Sequence, residues 1–145
     1  MKKLGLMAVL CLISGQILAA VPEAPAKQAI QHFYHHYVFG GRDLVENADK
    51  VGTQKLLSKL QAAYLQEYDC DDQPCYGVWV FRTGAQDGSG ASKVTKIQAR
   101  GEDWYRVTYW DMGHSGVTEV KVVQTGGSIK IDDYKKISEK MKKAR

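Results

Sequence analysis

The sequence predicts an α+β fold, with two helices packed on a curved antiparallel sheet of about four strands. Three observations lead there. Apolar residues recur every three or four positions through the first half of the chain. After a glycine-rich stretch the recurrence changes to alternation, and short turn-like pieces separate the later segments. Helical period followed by strand period with tight turns is the order of an α+β domain whose strands form a meander.

The first twenty residues stand apart. Lys2 and Lys3 precede an uncharged run, "LGLMAVLCLISGQILA", that closes on small residues at "LAA". This is the pattern of a secretory signal peptide. Residues 1–20 are therefore expected to be cut away after Ala20, with the remainder exported to the periplasm. A transmembrane anchor is the weaker alternative, because a span needs about 20 apolar residues and Ser14, Gly15 and Gln16 interrupt this one. A lipid-modified Cys11 is weaker still, since "MAVLC" lacks the small residue expected just before such a cysteine. The mature chain from Val21 suits one domain, residues 21–134, followed by a basic tail, residues 135–145.

The elements read in order as follows. "VPEAP" is a linker in which Pro25 can occupy a first helical turn. Ile30, Phe33, Tyr34, Tyr37 and Val38 then form one apolar stripe, ended by Gly40 and Gly41. "RDLVENADKVG" is irregular, with room for a short helical turn. Thr53 reads as an N-cap for "QKLLSKLQAAYLQEY", in which Leu57, Leu60 and Tyr64 form one row with Leu56, Ala63 and Tyr68 alongside. "YGVWVFR" is rich in β-branched and aromatic residues and reads as a strand or an extended segment. "TGAQDGSGAS" is a loop. "KVTKIQARG", "DWYRVTYWDM", "GVTEVKVVQT" and "SIKIDDY" read as strands. In the second of these, Trp104, Arg106, Thr108 and Trp110 share one face and Tyr105, Val107, Tyr109 and Asp111 the other. Neither face is wholly apolar, so the pattern leaves the buried side open. "KKISEKMKKAR" reads as a helix, with Ile137 and Met141 on a narrow stripe ringed by lysines.

The segments "FYHHYV", "LLSKLQAAY", "YDCD", "AQD" (Ala85 to Asp87) and "GSIKIDDY" together resemble the small exported bacterial domains with a cystatin-like, nuclear-transport-factor-two-like fold. The likeness runs over most of the mature chain. It implies export and helices lying across a curved sheet. It implies no reaction and carries no catalytic residue with it.

Charge is distributed unevenly. The whole chain carries net +4. Loss of Lys2 and Lys3 leaves +2, and the tail alone holds +5, so the body from Val21 to Tyr134 is at −3. The basic balance thus belongs to the tail, and no nucleic-acid partner is expected. A contact between tail and anionic membrane surface is one reading of those lysines. A helix packed on the domain, or a frayed end, are the others.

Cys70 and Cys75 are the pair left after the leader is removed. In an oxidising compartment they are expected to form a disulfide, closing a short loop for about 2 kcal/mol. Between them lies "DDQP". Asp69, Asp71 and Gln73 have the alternate spacing of a calcium loop, but Pro74 and Val80 stand where such a loop needs glycine and glutamate. A looser calcium site would draw on Asp69, Asp71, Asp72 and Asp87. Aspartates that cap and solvate a turn are the more ordinary explanation. His32 and His36 lie one helical turn apart, yet no third ligand follows at a fixed spacing, which favours a polar helix face. No metal and no cofactor are expected. Tyr64, Tyr68, Trp79, Trp104 and Trp110, with Asp69 or Asp111, are candidates to line a pocket, against the commoner role of aromatics as core.

No nucleophile elbow, Walker loop or paired metal motif is present. The expected role is a non-enzymatic periplasmic binding or accessory domain, inhibitor- or immunity-like, engaging an envelope protein or a small ligand. The alternatives are an enzyme with a pocket between helices and sheet, and a structural envelope factor.

Overall fold

The computed structural model describes residues 20–84 and 88–140, with the side chains of residues 138–140 outside that description. Residues 1–19 of the expected leader, the candidate Asp87 and Met141 to Arg145 of the tail lie outside the described residues. Helices pack on one face of a four-stranded antiparallel sheet of order β1-β2-β3-β4, the α+β fold expected.

Helix α1 spans Glu23–Phe33. The Pro22 carbonyl accepts from the Ala26 N–H at 3.1 Å, so the proline starts the helix where its missing donor costs nothing. The chain then widens into a single π turn, Tyr34–Val38, closed by Phe39 N–H donating to the Tyr34 carbonyl at 2.9 Å. The whole stripe of Ile30, Phe33, Tyr34, Tyr37 and Val38 is buried. A 3₁₀ turn, Val45–Asn47, and a short helix α2, Ala48–Val51, fill the irregular segment.

Helix α3 spans Gln54–Leu65. Thr53 caps it as expected, its Oγ1 accepting from the Leu56 N–H at 3.3 Å. The same hydroxyl donates to Asp132 at 2.9 Å, and the Thr53 N–H donates to the Ile131 carbonyl at 3.0 Å. One residue therefore starts the helix and fastens it to the last strand. Leu56, Leu57 and Leu60 are buried against the sheet.

The strands are β1 (Lys93–Gly101), β2 (Trp104–Asp111), β3 (His114–Thr125) and β4 (Ser128–Lys140). Each connection is a two-residue turn: Glu102–Asp103, Met112–Gly113 and Gly126–Gly127, all with positive φ. Such turns match the twist of the strands they join. Register shifts in β1–β2 and in β3–β4 bend the sheet. The question of the buried face is answered by β2: Tyr105, Val107, Tyr109 and Asp111 are buried beneath the helices, and their alternates remain partly exposed.

Two expectations fail. Val78–Phe81 is a 3₁₀ turn rather than a strand. The Gly77 N–H is held by the Leu60 carbonyl at 2.9 Å, and Phe81 is drawn fully into the core beside Phe33 and Tyr134. Between those anchors the segment makes its own turn bonds, Val80 to Gly77 and Arg82 to Trp79. The expected C-terminal helix is also absent from Lys135 to Lys140. β3 is long enough to offer ladder partners throughout, and Lys135, Lys136 and Lys140 pair in register with Glu119, Thr118 and Ser115. Ladder bonds along a preformed strand outweigh the weak helical stripe of Ile137.

Candidate functional site

A cleft of about 600 Å³ opens where the end of α3, the 3₁₀ turn and β4 meet. Its walls are Glu67, Tyr68, Trp79, Arg82, Thr83, Gly84, Met112 and Lys136. The aromatic wall follows from the turn. A 3₁₀ segment sends Phe81 inward and leaves Trp79 on the outer side. There Trp79 packs against Tyr64 at 5.3 Å and Tyr68 at 5.6 Å between ring centres, with Tyr64 and Tyr68 5.4 Å apart. Gly77 makes this approach possible. A Cβ there would stand 3.2 Å from the Tyr64 nitrogen and 3.3 Å from the Ala63 Cβ. Tyr68 remains 55% exposed, and its ring is open to a ligand.

The charged wall is Arg82, and its position is set from beneath. Asp111 is fully buried. Its two oxygens accept from Arg82 Nη2 at 2.7 Å and Nε at 3.1 Å. They also accept from the Thr83 N–H and Oγ1, both at 3.2 Å, and from Ser92 Oγ at 2.9 Å. Burial pushes the Asp111 carboxyl up, but the bonds from Arg82, Ser92 and Thr83 and the guanidinium charge outweigh it. The net result lies below the ordinary carboxylate range. Asp111 is thus held as a carboxylate with both oxygens engaged, and it orients the arginine as a fork-to-fork pair does.

The cysteine loop adjoins this cleft. Cys70 and Cys75 are bonded, with Cα atoms 6.0 Å apart, and the loop joins the end of α3 to Tyr76 and Gly77. Asp69 and Asp71 are exposed on it and do not line the cleft. Trp110 and Trp104 lie on the opposite face of the sheet and do not join Tyr64, Tyr68 and Trp79. Asp111 lies under the cleft as a support rather than in its wall. The residues missed from the sequence are Glu67, Arg82, Thr83, Gly84, Met112 and Lys136. One signal was available: Asp111 stands in the alternation of Tyr105, Val107 and Tyr109, and a carboxylate in a buried register requires a cation. Which cation, and what lies around it, only the folded chain shows.

The rings of His32 and His36 lie 4.2 Å apart between centres, tilted by 54°. Burial, then the charges of His32, Arg42 and His35, lowers the His36 pKa. Among the described residues no cluster of three or more His, Cys, Asp or Glu side chains is placed to hold a metal. His32 borders a second cleft of about 550 Å³, between α1, α2 and the β3–β4 hairpin, with Gln28, Tyr37, Lys50 and Ile131 among its walls. Among the described residues no helix is long and apolar enough to cross a membrane.

Comparison with known proteins adds the fold. The chain is similar to a protein of unknown function from Bacteroides thetaiotaomicron, solved by crystallography. The identity is 22%, the TM-score is 0.52, and the match covers 78% of this chain and 90% of that one. At that identity the likeness is one of architecture. No family model matches the chain, and no curated protein matches it.

Proposed function

We propose that this is an exported binding or accessory domain of the periplasm, of the cystatin-like exported kind, that engages an envelope protein or a small ligand without turning it over. The observation that carries this reading is the cleft itself. An exposed Tyr68 and a Trp79 face stand beside an arginine whose direction is set by a wholly buried carboxylate. Aromatic and arginine side chains held rigid are the usual anchors of recognition surfaces. The Cys70–Cys75 bond next to the cleft fits an oxidising compartment and stiffens the rim. Export finds further support at the chain's entry. The Val21 N–H donates to Asp103 Oδ1 at 3.0 Å, so cleavage after Ala20 would set a new α-ammonium against that carboxylate. An inhibitor- or immunity-like role is the form this reading takes if the partner is a protein.

The test is photo-crosslinking in intact cells from a reactive residue placed at Tyr68, with mass spectrometry of the adducts. One dominant partner is expected, and it should disappear when Trp79→Ala is combined with Arg82→Gln. The same adducts from Tyr68 and from a control position at Gln98 on β1 would remove the cleft from any account of function. The second cleft keeps one other reading open, because His32 and Lys50 there offer a small molecule an imidazole and a cation. Saturable binding followed by turnover, lost in His32→Ala, would select the enzyme.

A further inference from the structure

The face of the sheet turned away from the helices collects charge that the chain's composition hides. Lys93 and Lys96 of β1, Lys121 of β3 and Lys135 of β4 stand on it by register opposite or beside Trp110, Thr108, Trp104 and Glu119. Two acids stand on it by the same register: Glu119, met by Arg106 Nη2 at 3.0 Å and Arg100 Nε at 3.8 Å, and Asp133, met by Lys55 at 3.0 Å and Lys59 at 2.9 Å from α3. The four lysines make no ion pair among the described residues. Instead Lys135 Nζ lies 4.3 Å and Lys121 Nζ 6.0 Å from the centre of the Trp104 ring. An indole among cations on a broad, twisted surface combines an amphipathic ring with a positive field.

The chemistry of this face says what meets it. Four lysines without an acidic partner, on the same face as the Trp104 indole, complement a plane of anionic headgroups, where an amphipathic indole is also at home. We propose that the lysine- and Trp104-bearing face of the sheet docks on the surface of an anionic phospholipid bilayer. The contact is carried by the sheet, in place of a C-terminal helix. It is independent of the cleft, which opens on the other side of the sheet.

The test uses the full chain with vesicles of phosphatidylcholine alone and of phosphatidylcholine mixed with phosphatidylglycerol. Brominated acyl chains report contact by quenching tryptophan. Quenching that Trp104→Phe removes is expected with the anionic vesicles only, and raised salt should weaken it. Lys→Gln changes at positions 93, 96, 121 and 135 should weaken partitioning on the order of fivefold per lysine removed. Lys→Arg changes at the same positions should preserve it, which separates charge from misfolding. Equal quenching by neutral and anionic vesicles overturns the proposal. So does salt-sensitive binding to soluble polyphosphate with no quenching by either vesicle, which would assign the face to a dissolved polyanion.

Discussion

Replacing Asp111 by asparagine removes one charge from a buried carboxylate that accepts five hydrogen bonds. The amide keeps one acceptor and turns an NH₂ toward donors of Arg82, Thr83 or Ser92. Breaking a buried ion pair from one side costs about 3–5 kcal/mol. The lower end applies here, because the Arg82 side chain is 32% exposed and can regain water. A loss of about 3 kcal/mol in a domain of this size lowers Tm by roughly 10 °C. The acid limb should change as well. The folded Asp111 carboxyl titrates below its unfolded counterpart, so its contribution is complete above the unfolded value, about 3.9, and is lost as pH falls through the folded one. Asp133 behaves in the same sense: burial pushes it up, but bonds from Lys59 and Lys55 bring it to about 2. Wild-type stability should therefore fall steeply below about pH 4, and the Asp111→Asn variant should show a shallower fall over that range. Urea denaturation followed by circular dichroism, repeated across pH, measures both. A loss under about 1 kcal/mol at neutral pH, or an unchanged acid slope, would refute the assignment of Asp111 as the anion that sets Arg82.

Three further outcomes are expected. Cys70→Ser with Cys75→Ser should destabilise by about 2 kcal/mol through loop-closure entropy alone, read as a Tm lower by several degrees, with no free thiol detected in the native wild type under non-reducing conditions. Gly116→Ala should cost about 1–3 kcal/mol, because its Cβ would stand 2.5 Å from the ring of Tyr109, which is fully buried; an unchanged melting curve would show that this ring is free to move. N-terminal sequencing of the periplasmic form should begin at Val21, and Asp103→Asn should then lower its Tm modestly at neutral pH, where a new α-ammonium is charged; a chain beginning at Met1 would end that reading.

Much of the architecture was legible from local pattern. The stripe from Ile30 to Val38 carried its own period, and so did the leucines of the second helix, although the row expected to continue through Ala63, Tyr64 and Tyr68 leaves the core after Leu60; Thr53 announced its helix by side-chain chemistry. The site was half legible. Tyr64, Tyr68 and Trp79 meet because two of them lie one turn apart at the end of α3 and the third returns to them past Gly77. Trp110 was misplaced because alternation alone does not say which side of β2 the helices cover.

What local order determined, then, was helix, turn and strand period, the pairing of the two nearest cysteines and the alternation that divides β2 into two faces. Those are properties of neighbours along the chain, written by propensity and spacing. Tertiary structure decided the rest. A long β3 converted Lys135 to Lys140 from a helical pattern into a strand, and the pull of Phe81 into the core converted a β-rich segment into a 3₁₀ turn. Arg82 met Asp111 across 29 positions, and lysines from two strands, Lys121 and Lys135, came to flank Trp104. Register and burial bring distant residues together, and no window of sequence contains them.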